Sequence, residues 1–158
     1  MIDDTRMMVM ELAGQGYSCA QIVVLGGLRL MGRENPDLMR AMGALAQGFS
    51  FGGMCGALTG GLCLMALHTG KGLPDERPLP GGRTLAGALI KWFSQEELGG
   101  KVAPNCADIF AAAGLQYEDG QMNPAAGCGD LVAHTWEKVL AILQENGIDP
   151  TAGRPEYE

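Results

Sequence analysis

Apolar residues recur at three- and four-residue intervals along almost the whole chain of 158 residues. This interval is the period of an α-helix, and no segment shows a run of alternating β-branched residues typical of a half-buried strand. The clearest amphipathic segment is 127–146, whose apolar positions are Leu131, Val132, Trp136, Val139, Leu140 and Leu143. The sequence therefore predicts an all-α fold, a single-domain bundle of about six to seven helices with short loops.

Glycine and proline residues divide this pattern into separate helices. The predicted helices cover residues 3–13, 18–32, 36–48, 55–68, 84–98, a short segment from 105, and 127–146. Residues 71–82 are predicted to form an exposed loop, and a second loop holds Gly120 and Pro124. We expect one domain over residues 1–149 and a flexible C-terminal tail over residues 150–158.

The charge balance narrows the classes of partner. Eleven basic and eighteen acidic residues give a net charge of -7, without a basic stripe, which argues against nucleic acid and anionic membranes. No charged side chain lies between Arg40 and His68, but Gln47 to Met54 would break a spanning helix, so we expect no membrane span. The acidic start does not fit a secretory signal, and we expect a cytoplasmic protein.

Four of the five cysteines fall at predicted helix starts. Cys19 follows Ser18 in a capping box with Gln21, and Cys106 follows Asn105 in a similar layout. Cys128 follows Gly127, and Cys55 follows the glycine turn at 52–53. Cys63 lies two turns inside its helix and is expected to be a core residue. An odd number of cysteines in a reducing compartment favours thiols or metal ligands over structural disulfides.

The residues three and four positions after each of these four cysteines are largely apolar, so the thiols are expected to point inward. A helix N-terminus offers free N–H groups and the positive end of the dipole, which stabilise a thiolate as nucleophile or metal ligand. We therefore expect Cys19, Cys55, Cys106 and Cys128 to converge within one site, with Cys63 apart. The alternative is that these cysteines simply fill the core as small apolar residues.

Glycines near Cys55 and the two histidines are further candidates for a role at the site. Gly52 and Gly53 are expected to adopt positive φ, and Gly56 and Gly60 to let another helix or a cluster approach closely. Backbone N–H groups of this turn would donate to sulfur. His68 is expected to interact with the negative end of its helix dipole. His134 is a metal-ligand candidate by residue type only.

The segment from Gly53 to Gly60, which reads Gly-Met-Cys-Gly-Ala-Leu-Thr-Gly, combines with Cys19, Cys106 and Cys128 in a recognisable order. This pattern resembles the C_GCAxxG_C_C family of redox-active proteins, and the segments Gly16–Cys19 and Glu34–Asp37 add to the likeness. The resemblance implies a small helical bacterial protein whose four family cysteines are Cys19, Cys55, Cys106 and Cys128. A related domain of split-Soret cytochrome c is associated with an iron-sulfur site. This chain lacks Cys-x-x-Cys-His, so no haem is expected.

Three hypotheses about function remain open. The first is electron transfer or redox sensing by an iron-sulfur cluster, bound by Cys19, Cys55, Cys106 and Cys128. The second is thiol-disulfide exchange by two of these cysteines, and the third is a zinc-stabilised interaction module with four cysteine ligands. A redox carrier is favoured over a classical enzyme, because no general base is recognisable. The redox partner is not identifiable from the sequence, which also leaves a homo-oligomer open.

Overall fold

Seven α-helices and no strand form the part of the chain that the structure, a computed structural model, describes: residues 3–115 and 127–155. The helices are α1 (Asp4–Gly14), α2 (Cys19–Leu30), α3 (Pro36–Met42), α4 (Gly56–Thr69), α5 (Gly82–Trp92), α6 (Cys106–Ala112) and α7 (Gly129–Glu145). They pack around one main apolar core. The predicted all-α bundle of six to seven helices is confirmed. The predicted loop with Gly120 and Pro124 lies outside the described residues.

Local sequence signals explain most helix ends. The Asp3 carboxylate accepts the Arg6 N–H at 2.8 Å and caps α1, and Gly16 follows the helix with φ at +89°. Asn35 accepts the Leu38 N–H at 3.0 Å, so that Pro36 opens α3. The capping box predicted at Ser18 is half formed: Gln21 Oε1 accepts the Ser18 N–H at 2.9 Å, but Ser18 Oγ has no hydrogen-bond partner among the described residues. The start of α2, and with it Cys19, is therefore fixed by its own sequence.

The third helix ends earlier than its apolar pattern predicts. α3 stops at Met42 and continues as one 3-10 turn over Gly43–Leu45, whereas the prediction extended it to residue 48. The chain then enters a left-handed turn at Gln47, which is incompatible with continuing a right-handed helix. The helix predicted over residues 84–98 is divided in a similar way. Its α-helical part, α5, ends at Trp92, and a single π-type turn follows over Phe93–Glu97.

Helix α2 is the centre of the bundle and contacts α1, α4 and α7. Two adjacent glycines make close packing possible: a Cβ on Gly26 would lie 2.8 Å from Trp136 Nε1 of α7, and one on Gly27 only 2.1 Å from Leu64 of α4. The most deeply buried side chains come from α1, α2, α4, α5 and α7 and include Leu12, Val23, Val24, Leu58, Leu64, Leu89 and Leu143. Close helix packing at α2 thus organises the core.

Two small residues of α4 bring it against the start of α2, the most extensive helix pair in the described chain. A Cβ on Gly60 would lie 2.8 Å from the Ala20 carbonyl oxygen and 2.9 Å from its Cα. A Cβ on Gly56 would lie 2.3 Å from Cys19 Sγ. The expectation that Gly56 and Gly60 allow a close approach is confirmed, and the helix that approaches is α2.

None of the helices in residues 3–115 and 127–155 is long and apolar enough to cross a membrane. The segment from 41 to 67 that lacks charge is divided between three turns of α4 and the irregular chain before it. Farther along, residues 150–155 of the expected tail contact the end of α4. Arg154 Nε donates to the Gly70 carbonyl at 2.9 Å, and Pro150 and Gly153 are buried.

Replacing Gly60 by alanine is expected to destabilise the fold. The new methyl group would meet the backbone of Ala20, which cannot move as a flexible side chain can, at a cost of about 1–3 kcal/mol. Gly87→Ala is the matched control, because that position of α5 has nothing within 4 Å of a new Cβ. There the helix propensity of alanine should stabilise the protein by about 0.5–1 kcal/mol. Urea denaturation measures both; an equal gain in stability at both positions would contradict tight α2–α4 packing.

Candidate cysteine site

Cys55 and Cys106 are held next to each other by the backbone. Met54 and Asn105 form an isolated antiparallel bridge, and one cysteine follows each of them. The Cys55 N–H donates to the Pro104 carbonyl at 2.9 Å, and the Cys106 N–H donates to the Gly53 carbonyl at 2.6 Å. Because α4 and α6 begin at these two cysteines, their N-termini lie side by side. The bridge fixes this arrangement without any side-chain contact.

Cys19 lies against the same end of α4. Its sulfur occupies the space beside Gly56 that any larger residue would fill. The backbone N–H groups of Ala20, Gln47 and Gly56 point toward this sulfur, and those of Ala57 and Leu58 point toward Cys55. The sequence-based expectation that helix-start N–H groups face the thiols is therefore met at Cys19 and Cys55.

The pKa values of Cys55, Cys106 and Cys128 are each raised by at least one other helix-start cysteine, and these influences link all four. Cys55 is affected by Cys19 and Cys106, Cys106 by Cys19 and Cys128, and Cys128 by Cys19. Cys63, by contrast, has its pKa raised by burial alone. The helix-start cysteines of α2, α4, α6 and α7 are thus linked through the influence of neighbouring sulfurs on their pKa values. Cys63 stays outside this group.

The helix N-termini do not make these thiols acidic. Burial raises the pKa of Cys55 to about 12 and that of Cys106 to about 11, and the neighbouring sulfurs act in the same direction. Burial also raises the pKa of Cys19 and Cys128. The expected stabilisation of thiolates is present at Cys19 and Cys55, and there the N–H groups offset only part of the cost of a buried charge. In the absence of a bound cation, these cysteines are thiols at neutral pH.

A left-handed turn adjoins the site and was not foreseen from the sequence. Gln47, Gly48, Phe49 and Ser50 all have φ between 54 and 62°, which costs a residue other than glycine about 1–2 kcal/mol. The turn directs the Gln47 N–H toward Cys19. Positive φ was expected at Gly52 and Gly53; Gly52 has it, at +70°, but Gly53 does not. The glycines at 48, 52 and 53 were the only sequence signal for this turn.

Apolar side chains are exposed on and after this turn. Phe51 is 93% exposed, Phe49 44% and Met54 39%, although all three are large apolar residues. Met54 directly precedes Cys55, so this apolar surface lies beside the cysteine group. The described chain therefore presents an apolar rim next to its thiols.

Neither histidine joins the cysteine group. His68 is fully buried in α4 near Gly153, and neither ring nitrogen has a well-aligned hydrogen-bond partner among the described residues. His68 lies in the last turn of α4, as expected, and burial lowers the pKa of its ring. His134 Nδ1 lies 2.9 Å from Glu97 Oε1, and its Nε2 lies 3.3 Å from Arg6. These contacts use both His134 nitrogens.

The acidic residues of the first helical turns have structural partners. Asp130 of α7 forms an ion pair with Arg6 at 2.6 Å, which ties the start of α7 to α1. The Asn105 amide donates to the Asp108 carboxylate at 3.1 Å, so this predicted capping pair forms between the side chains themselves. An acid-base role for these carboxylates is thus not indicated by their contacts.

A metal ion needs ligand side chains that lie close together or can move close together. Within residues 3–115 and 127–155, no three His, Cys, Asp or Glu side chains lie close enough together to hold one as they stand. The four thiols are near enough to interact electrostatically and are carried by separate helix starts. Their donor set, four sulfurs of which those of Cys55 and Cys106 belong to buried residues, is the one that iron-sulfur clusters and structural zinc use.

Comparison with known proteins identifies one family. Residues 17–142 match the family described as "Putative redox-active protein (C_GCAxxG_C_C)". No curated protein and no solved structure matches the chain. The matched segment covers well over half of the sequence and includes all four helix-start cysteines, in agreement with the resemblance seen in the residues. The chain therefore belongs to the C_GCAxxG_C_C family of redox-active proteins.

Proposed function

We propose that the protein is a small redox carrier or sensor in which Cys19, Cys55, Cys106 and Cys128 ligate an iron-sulfur cluster. The redox role follows from the family. The observation that supports the ligand set is the connected electrostatic interaction among these four sulfurs, from which Cys63 is absent. Four cysteine ligands are what a [2Fe-2S] or [4Fe-4S] cluster requires.

The thiol pKa values favour a cationic occupant. Burial keeps all four thiols protonated, with added repulsion from neighbouring sulfurs at Cys55, Cys106 and Cys128, so the group cannot ionise alone at neutral pH. A metal centre removes this obstacle, because its positive charge displaces the thiol protons and compensates the thiolates. The same raised pKa values make the thiols weak nucleophiles, which disfavours thiol-disulfide exchange.

The backbone around the site would tune such a centre. A bound iron-sulfur cluster would supply one-electron redox chemistry. The N–H groups of Gln47 and Gly56 at Cys19, and those of Ala57 and Leu58 at Cys55, donate toward sulfur and favour the more negative, reduced state. The fixed Met54–Asn105 bridge holds two of the ligands in place while the charge changes.

Thiol-disulfide exchange is the second candidate. It needs only two sulfurs, and Cys55 interacts with two neighbours, Cys19 and Cys106. Two of these thiols would lose two protons and two electrons to an oxidised partner and form one S–S bond. The lack of a pre-gathered group of three ligands in the described chain is the observation that favours this function. A zinc-stabilised module is the third candidate, and it uses the same four thiols without redox change.

Anaerobic reconstitution with iron and sulfide tests the cluster directly. The wild-type protein should bind both and develop charge-transfer absorption in the visible range, with an EPR signal in the oxidised or reduced state. Single substitutions to serine at Cys19, Cys55, Cys106 or Cys128 should each reduce the iron content and the absorption. Cys63→Ser is the matched control, since it makes the same chemical change on α4 outside the group.

The remaining outcomes separate the candidates. A wild-type protein that takes up no iron but cycles reversibly between dithiol and disulfide supports the second candidate and refutes the cluster. One tightly bound zinc without a redox response identifies a structural module instead. Loss of iron binding in Cys63→Ser alone would contradict the assigned ligand set.

The raised thiol pKa values also predict how the stability of the metal-free, reduced protein depends on pH. The folded-state pKa of Cys55, about 12, and of Cys106, about 11, lie above the ordinary value of 9.0 expected in the unfolded chain. Between these values the unfolded chain releases protons that the folded chain keeps, so stability falls as the pH rises. Each thiol should lower the free energy of unfolding by up to about 1.4 kcal/mol per pH unit.

Urea denaturation at a series of pH values above about 8 measures this dependence. Cys55→Ser should decrease the slope, because serine does not titrate in this range. Tyrosine and lysine titrate equally in both proteins and do not affect the comparison. Identical slopes in the two proteins would mean that the Cys55 pKa is not raised in the folded state.

A further inference from the structure

A cavity of about 480 Å³ lies between α2 and the segment that leads into α3. Its lining includes Tyr17, Gln21 and Leu25 from the α2 side and Asn35, Pro36 and Met39 from the α3 side. This volume is within the range of small-molecule sites, and the walls combine apolar and polar groups as such sites do. The cavity is separate from the cysteine group.

The cavity occupies the outer face of α2. Tyr17, Gln21, Leu25 and Arg29 follow one another at four-residue spacing and so form one stripe along the helix. Cys19, two positions from Gln21, lies on the opposite side. Tyr17 from the segment Gly16–Cys19 and three residues from Glu34–Asp37 contribute to the lining, and the proposed cysteine chemistry does not use these lining residues.

Three arginines line this cavity in a chain whose net charge is -7, and Glu34 is the only carboxylate among the lining residues. Arg29 pairs with Glu11 at 3.1 Å, and Arg40 pairs with Asp37 at 2.5 Å. Both pairs are exposed, so each contributes little and can be exchanged for a ligand at small cost. Arg33 forms no ion pair with any of the described residues, and its guanidinium lies against Gly153.

Gln21 gives the cavity a rigid wall. Its Oε1 accepts the Ser18 N–H at 2.9 Å, while its Nε2 donates to the Met39 carbonyl at 2.8 Å. The side chain thus joins the start of α2 to α3 across the floor of the cavity. A site whose walls are already hydrogen-bonded loses little conformational entropy when a ligand binds.

We propose that this cavity binds a small organic anion in which a phosphate or carboxylate group is joined to an apolar body. The guanidinium groups of Arg29 and Arg40, once released from Glu11 and Asp37, offer paired N–H donors that match the oxygens of either anion, and Arg33 adds a positive charge to the lining. Tyr17, Leu25 and Met39 provide the apolar contact for the rest of the ligand. This anion site is separate from the cysteine group. Binding of the anion therefore does not depend on whether a cluster is bound.

Isothermal titration of the reduced full-length protein with four probes tests the site. Phenyl phosphate and benzoate share a ring and differ in the anion; inorganic phosphate lacks the ring, and benzyl alcohol lacks the charge. We expect saturable binding of phenyl phosphate or benzoate, weaker binding of inorganic phosphate and none of benzyl alcohol. Whichever ring-bearing anion binds more tightly identifies the anionic group.

Arginine variants assign the binding to this cavity. The double variant Arg29→Gln with Arg40→Gln should weaken binding by about tenfold or more, through lost hydrogen bonds to a charged group. Arg83 is an exposed residue of α5, away from the cavity. The variant Arg83→Gln removes one positive charge there and should bind the anionic probes like the wild type. Circular dichroism checks that each variant is folded. Absence of saturable binding by every anionic probe, equal binding of benzyl alcohol, or an equal loss in Arg83→Gln would overturn the proposal.

Discussion

The direct backbone contact between α2 and α4 is the constraint on which the rest of the structure depends. It exists because Gly60 has no side chain where the Ala20 backbone passes, and because Gly56 leaves room for the Cys19 sulfur. Close approach increases dispersion contacts along both helices and places two helix starts within reach of one another. The core formed by Leu58 and Leu64 and the position of Cys19 are thus consequences of the same small residues.

The cysteine group combines two opposing electrostatic effects. Oriented N–H groups favour thiolates, whereas burial and neighbouring sulfurs favour thiols, and burial is the largest influence at every one of these cysteines. The protein tolerates the arrangement because a protonated thiol is a small apolar group that packs well. With its thiols protonated, the group therefore packs as ordinary core.

The sequence predicted the helical architecture because helix formation leaves local signals. Capping at Asp3, Ser18 and Asn35 acts within one turn, so these helix starts can be read from a few residues. The candidate cysteines could be chosen for the same reason. The early end of α3, the left-handed turn at Gln47 and the burial of His68 could not, because each results from distant parts of the chain packing together. The thiol pKa values also depend on how deeply each cysteine is buried. Helical spacing indicates that a side chain points inward but not how deeply it is buried.

The bridge between Met54 and Asn105 determines which changes in sequence the site can accept. Its two hydrogen bonds use only main-chain groups, so the relative position of Cys55 and Cys106 does not depend on which side chains stand at the bridging positions. The number of residues, on the other hand, matters greatly. Inserting one residue between either bridging residue and the cysteine that follows it would rotate the following helix by about 100° and turn its first side chain away. During divergence, this part of the chain should therefore vary freely in composition while its spacing stays fixed.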